Sequence, residues 1–105
     1  MSKTDADRNL DLTLQSNKKI FVLFYASWCP FSIRFLPIFE KFAEDKTRSC
    51  TQVKTDDKTA LCEEYSIDVV PTVIFFKNGK AAKRLDGIQG AGLDEKQLTD
   101  FANKC

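Results

Sequence analysis

The chain has 105 residues, 43% of them hydrophobic, with sixteen basic against fifteen acidic side chains and a net charge of +1. That length predicts one domain, residues 1–105, with a real core and no room for a second, and the balanced charge offers nothing to nucleic acid or to an anionic membrane surface. Histidine is absent, which removes His-based acid–base catalysis, Cys–His proteases and most zinc sites.

No apolar stretch approaches the roughly 20 residues of a transmembrane helix. The polar start, Met-Ser-Lys-Thr-Asp-Ala-Asp-Arg, does not read as a signal peptide. The four cysteines are Cys29, Cys50, Cys62 and Cys105. They read as free thiols in a reducing compartment, because a chain this apolar does not need disulfide staples. A cytoplasmic monomer without a membrane partner is the expectation.

Residues 1–6 are predicted to be disordered. A first helix follows from about Asp7, a plausible N-cap, to Asn17, with Leu10 and Leu14 at i, i+4 and Leu12 off that face. Ile20–Tyr25 is apolar at every position, which predicts a strand covered on both sides. From Pro30 the period changes: Phe31, Phe35, Ile38, Phe39 and Phe42 recur at helical spacing. This predicts a helix to about Asp45, with Pro30 at its first position and a kink at Pro37. Cys50–Thr55 reads as a short strand, Asp56-Asp57-Lys58 as a loop or cap, and Thr59–Tyr65 as a short helix. Val73–Phe76 is a second apolar strand. Lys77-Asn78-Gly79-Lys80 is a hairpin turn leading to an edge strand, Ala81–Leu85. Gly87, Gly90 and Gly92 read as a flexible connection, and a last helix runs from about Leu93 to Lys104. This order predicts a mixed sheet with helices on both faces.

One thiol stands out. A buried strand delivers Cys29 to the start of a helix, where unpaired backbone N–H groups and the positive end of the helix dipole favour thiolate, the nucleophilic form. The fourth position of the Cys-x-x-Cys pattern is Ser32. Its hydroxyl, one turn on, is placed to donate a hydrogen bond to that thiolate. Cys50 and Cys62 read as semi-buried small apolar residues, and Cys105 as a mobile chain end.

Phe24 to Ser32 (Phe-Tyr-Ala-Ser-Trp-Cys-Pro-Phe-Ser) resembles the active-site stretch of thioredoxins, an aromatic-rich strand followed by Trp-Cys-x-x-Cys. Val70-Pro71-Thr72 resembles the family's cis-proline loop, and Phe75 to Gly79 the hairpin after it. Pro37 and Gly87 match a helix proline and a late glycine of the family at the right spacing. The resemblance spans roughly residues 18–105. It implies an α/β thioredoxin-like fold, a central mixed β-sheet of four to five strands with helices on both faces, the first edge strand being absent if only four form.

It also implies a site: Cys29 as nucleophile with Ser32 as the second catalytic position. Pro71 would lie against Cys29, and the Val70 backbone would pair with an extended client segment. Trp28, Pro30 and Phe31 would complete the substrate-binding surface, with Trp28 and Phe31 as an apolar rim or, alternatively, as core. Three departures alter the chemistry. Ser32 replaces the resolving cysteine, Leu23 stands where thioredoxins bury an acid, and Gln52 stands where its lysine partner would be. The implied activity is monothiol exchange: mixed-disulfide formation, isomerisation or deglutathionylation on client proteins with disulfides or thiols. No metal or cofactor is expected, with glutathione open as a co-substrate. Three other readings stay open. They are a dithiol thioredoxin carrying a Cys-to-Ser change at Ser32, a glutathione- or iron–sulfur-linked glutaredoxin-like protein, and a non-enzymatic binding module of the same fold.

Overall fold

The computed structural model describes residues 5–45, 47–56 and 59–105. The expected disorder of residues 1–4 and the loop reading of Asp57 and Lys58 lie outside them. The elements run α1 (Asp5–Ser16), β1 (Lys19–Tyr25), α2 (Pro30–Ala43), β2 (Cys50–Lys54), α3 (Thr59–Glu64), β3 (Thr72–Lys77), β4 (Lys80–Asp86) and α4 (Glu95–Asn103). One sheet of four strands forms, in the order β2-β1-β3-β4. β1 pairs in parallel with β2 and antiparallel with β3, and β3 pairs antiparallel with β4.

The unbroken apolar run of β1 is explained by its central place in the sheet. Its side chains alternate between two cores, as the period of a strand requires. Phe21 and Leu23 join Phe35 and Phe39 of α2 and Leu98 and Phe101 of α4 on one face. Ile20, Val22 and Phe24 join Leu10 and Leu14 of α1 and Leu61 of α3 on the other. Leu12, off the inward face of α1, is exposed.

The sequence expectation placed Asp7 before the first helix and left residues 1–6 unstructured. Instead α1 is already helical at Asp5, so Asp7 lies inside it. Once Leu10 and Leu14 are buried, extending the helix by a further half-turn adds a hydrogen bond per residue without a new nucleation cost. The β3–β4 turn is as expected, with Asn78 at φ 54° and Gly79 at φ 82°. At the start of α4 the Asp94 side chain accepts from the Gln97 N–H at 2.8 Å, and the Gln97 side chain accepts from the Asp94 N–H at 2.9 Å. This reciprocal cap sets the start of α4 two residues after the expected Leu93.

Candidate active site

β1 ends at Tyr25 and the chain turns over at Ala26, with the Cys29 N–H donating to the Ala26 carbonyl at 3.3 Å. Cys29 is the N-cap of α2, in extended conformation, and Pro30 opens the helix. Proline costs nothing at this position, since its missing N–H would have had no partner in the helix. The Ile33 N–H closes the first turn onto the Cys29 carbonyl at 3.0 Å. Cys29 is largely buried, at 7% exposure.

The segment before Cys29 is tied to the end of β2. The Ser27 N–H donates to Asp56 Oδ1 at 2.9 Å, and the Ser27 hydroxyl donates to Asp56 Oδ2. These two bonds, the hydroxyl first, hold the Asp56 carboxyl below the usual carboxylate range. Nothing in the spacing of Ser27 and Asp56, 29 residues apart, announces this clamp.

Ser32 is fully buried and its Oγ accepts from the Ala26 N–H at 3.2 Å. Among the described residues no hydrogen bond joins Ser32 to Cys29. The Ser32 oxygen instead serves as the acceptor for the backbone of the preceding turn. The physical reason is that the Ala26 N–H is itself buried, and a buried donor without an acceptor costs about 1–3 kcal/mol.

Facing Cys29 is the loop before β3. The Val70–Pro71 peptide is cis, and the Cys29 Sγ lies 3.8 Å from the Val70 carbonyl oxygen. The loop is fixed from three sides. The Thr72 hydroxyl donates to the Val69 carbonyl at 2.6 Å. Arg84 of β4 donates to the Tyr65 and Ser66 carbonyls at 2.7 and 3.1 Å, holding the end of α3. Gly87 packs so closely that a Cβ there would lie 2.4 Å from the Pro71 carbonyl oxygen. Among the described residues the Val70 N–H has no hydrogen-bond partner.

A third wall corrects the expectation of a flexible glycine connection. Residues 88–92 form a tight turn in which the Ile88 N–H donates to the Gly92 carbonyl at 3.0 Å and the Gly92 N–H to the Ile88 carbonyl at 2.7 Å. Arg34 of α2 donates to the Ala91 carbonyl and lies over the Phe31 ring, 5.4 Å from its centroid. Gly92 meets Phe31 where a Cβ would sit 2.8 Å from the Phe31 Cβ. Gly92 serves close approach while Gly90 supplies a positive φ of 81°, and the turn is bolted to the first turn of α2.

These three segments enclose a cleft of about 430 Å³. Trp28, Cys29 and Phe31 form one wall, and Asp68, Val69 and Val70 the second. Ile88, Gln89 and Gly90 close it. Trp28 is 72% exposed, which makes it rim and not core, and Phe31 is half-buried. Pro30 is exposed and Pro71 buried, neither of them lining the cleft itself. The sequence reading did not include Asp68, Ile88 or Gln89, because only the folded loops bring them to Cys29.

Cys50, Cys62 and Cys105 do not line the cleft. Burial pushes the Cys50 thiol up to about 11 and raises those of Cys62 and Cys105. Beneath the site, Leu23 is fully buried and stands opposite Gln52 of β2 in the strand register. Among the described residues the only buried polar side chains are those of Ser32 and Thr72. A leucine here avoids the several kcal/mol that an unpaired buried charge would cost.

A four-stranded mixed sheet flanked by helices, with a cysteine at the start of α2 facing a cis-proline loop, defines a thioredoxin-fold protein. The thioredoxin family model matches residues 2–104, and the chain belongs to the thioredoxin family. It is 34% identical over 102 residues to the thioredoxin of Alicyclobacillus acidocaldarius, covering 95% of each chain. It is 43% identical over 79 residues to that of Mycoplasmoides gallisepticum, covering 74% of this chain and 79% of the relative. Among solved structures, a mutant thioredoxin from Halobacterium salinarum superimposes with a TM-score of 0.79 at 27% identity, covering 92% of this chain and 82% of the other.

Proposed function

We propose that this protein is a monothiol thiol–disulfide exchange protein, in which Cys29 forms mixed disulfides with client proteins and another thiol resolves them. The observation that carries the reading is Ser32, buried and bonded to the Ala26 backbone one turn after Cys29, behind a cleft that Cys29 alone of the four cysteines lines.

In this reading the Cys29 thiolate attacks one sulfur of a client disulfide. The client S–S bond breaks, a Cys29–client disulfide forms, and the other client sulfur leaves with the electron pair and takes a proton from water. A second cysteine at position 32 would then attack Cys29 and release the client. Serine cannot. Release falls to a different thiol of the client, which attacks the captured client sulfur, forms a new client disulfide and expels the Cys29 thiolate, giving isomerisation, or to an outside thiol, which attacks the same sulfur and returns Cys29 to its starting state. Client backbone pairs with the unoccupied Val70 N–H while Trp28 and Phe31 cover its side chains. Leu23 and Gln52 support a site adapted to this half-reaction, since a dithiol site changed only at Ser32 would keep its buried acid and lysine.

The test is insulin reduction coupled to dithiothreitol. Net turnover by the protein is expected to be weak, to rise at least tenfold on Ser32→Cys, and to vanish on Cys29→Ser. Turnover by the unaltered protein equal to that of Ser32→Cys overturns the reading.

A further inference from the structure

We propose that the cleft selects client segments carrying a lysine or arginine two or three residues from their reactive cysteine, and disfavours anionic thiols such as glutathione. The proposal rests on the reading of Cys29 as nucleophile. Of the side chains lining the cleft, those of Trp28, Phe31, Val69, Val70 and Ile88 are apolar, and Asp68 is the one that carries a charge besides the reacting Cys29 thiolate. Asp68 is exposed and has neither an ion pair nor a hydrogen-bond partner among the described residues. Its carboxylate therefore meets an incoming chain uncompensated.

Geometry sets the distance. A client strand laid against Val70 continues past Asp68, two positions away, at about 3.3 Å per residue. A client side chain two or three residues from the cysteine is the one that reaches Asp68. The nearby cation, Arg34, does not line the cleft and is committed to the Phe31 ring and the Ala91 carbonyl. Glutathione brings two carboxylates against one ammonium, and no cation lining this cleft receives them. An exposed pair of this kind sets preference and encounter rate more than affinity.

The protein is mixed with blocked peptides that differ only in lysine, glutamine or glutamate two residues from a single cysteine, activated as a 2-pyridyl disulfide. Glutathionyl 2-pyridyl disulfide is the fourth probe. Cys29 attacks the peptide sulfur, the disulfide to the pyridine breaks, and 2-thiopyridone leaves with the electron pair and a proton. Its absorbance gives the rate, peptide mapping assigns the adduct to Cys29, and rates are normalised to reaction with dithiothreitol. The lysine peptide is expected to react roughly two- to fivefold faster than the glutamate peptide at low salt. The ratio should shrink at high salt, fall to one in Asp68→Asn, and invert in Asp68→Lys, with glutathionyl capture rising. Equal rates in the unaltered protein, or a ratio unmoved by Asp68→Asn, overturn the proposal. Failure of Cys29 to capture any probe overturns the reading of Cys29 itself, and this proposal with it.

Discussion

Replacing Gly87 with alanine tests how the cis-proline loop is held against Cys29. The added Cβ would lie 2.4 Å from the Pro71 carbonyl oxygen, whereas ordinary contact begins at 3.4 Å. One backbone must therefore retreat by about 1 Å. The obstacle is main chain, so no side-chain rotation relieves it. Overpacking of this kind costs about 1–3 kcal/mol. For a domain of this size that lowers the melting temperature by roughly 4–20 °C. A displacement of about 1 Å at a reacting centre slows chemistry by up to ~100-fold, so capture of a peptide disulfide by Cys29 is expected to fall at least tenfold. The comparison is Gly79→Ala in the β3–β4 turn, where φ is +82° and nothing lies within 4 Å of the new Cβ. That change costs about 1–2 kcal/mol of backbone strain and leaves capture unchanged. Thermal unfolding and 2-thiopyridone release measure the two effects. Unaltered stability and capture in Gly87→Ala would refute the reasoning, as would an equal loss of capture in Gly79→Ala.

Asp56→Asn should weaken the protein at neutral pH and not in strong acid. The folded state depresses the Asp56 pKa, so its contribution is complete above the unfolded value of about 3.9 and is lost as pH falls through the lower folded value. Denaturation curves of the two proteins should separate at about pH 6 and draw together as the pH falls below the unfolded value of about 3.9. Cys50, with its thiol pushed up to about 11, should resist iodoacetamide in the folded protein at pH 8 and react on unfolding, as read by mass spectrometry of labelled peptides. Because burial favours its neutral form, its contribution to stability is complete below the unfolded value of about 8.5 and fades as pH rises towards the folded one. Arg84→Met removes the bonds to the Tyr65 and Ser66 carbonyls and should cost about 1 kcal/mol in urea denaturation, discounted for the exposure of Arg84.

Elements with local causes were legible in the sequence. The apolar run Ile20–Tyr25, the helical spacing from Phe31 to Phe42 and the Asn78-Gly79 turn each carry their own signal within a few residues. The placement of Cys29 at a helix start followed from Pro30 and the change of period after β1, and its place opposite Val70 and Pro71 from the family resemblance. What escaped was made by contacts distant in sequence. Gly87, Gly90 and Gly92 read as flexible because glycine is permissive. The Arg34 bond to Ala91 spans 57 residues, and the packing of Gly87 on Pro71 and Gly92 on Phe31 exists only in the fold. Ser32 was expected to serve the sulfur; that its oxygen accepts from the buried Ala26 N–H, six residues back, has no signal in the sequence. The Asp94–Gln97 cap was readable, since an acid followed three residues later by glutamine is a helix-start signature.

The central claim concerns what happens after capture. A purified disulfide between Cys29 and a single-cysteine peptide, held without added thiol at neutral pH, measures it most directly by mass spectrometry over time. The adduct is expected to persist for hours, on the timescale of uncatalysed disulfide rearrangement, and the Ser32→Cys protein to release its peptide within the mixing time. Release from the unaltered protein as fast as from Ser32→Cys would contradict the account.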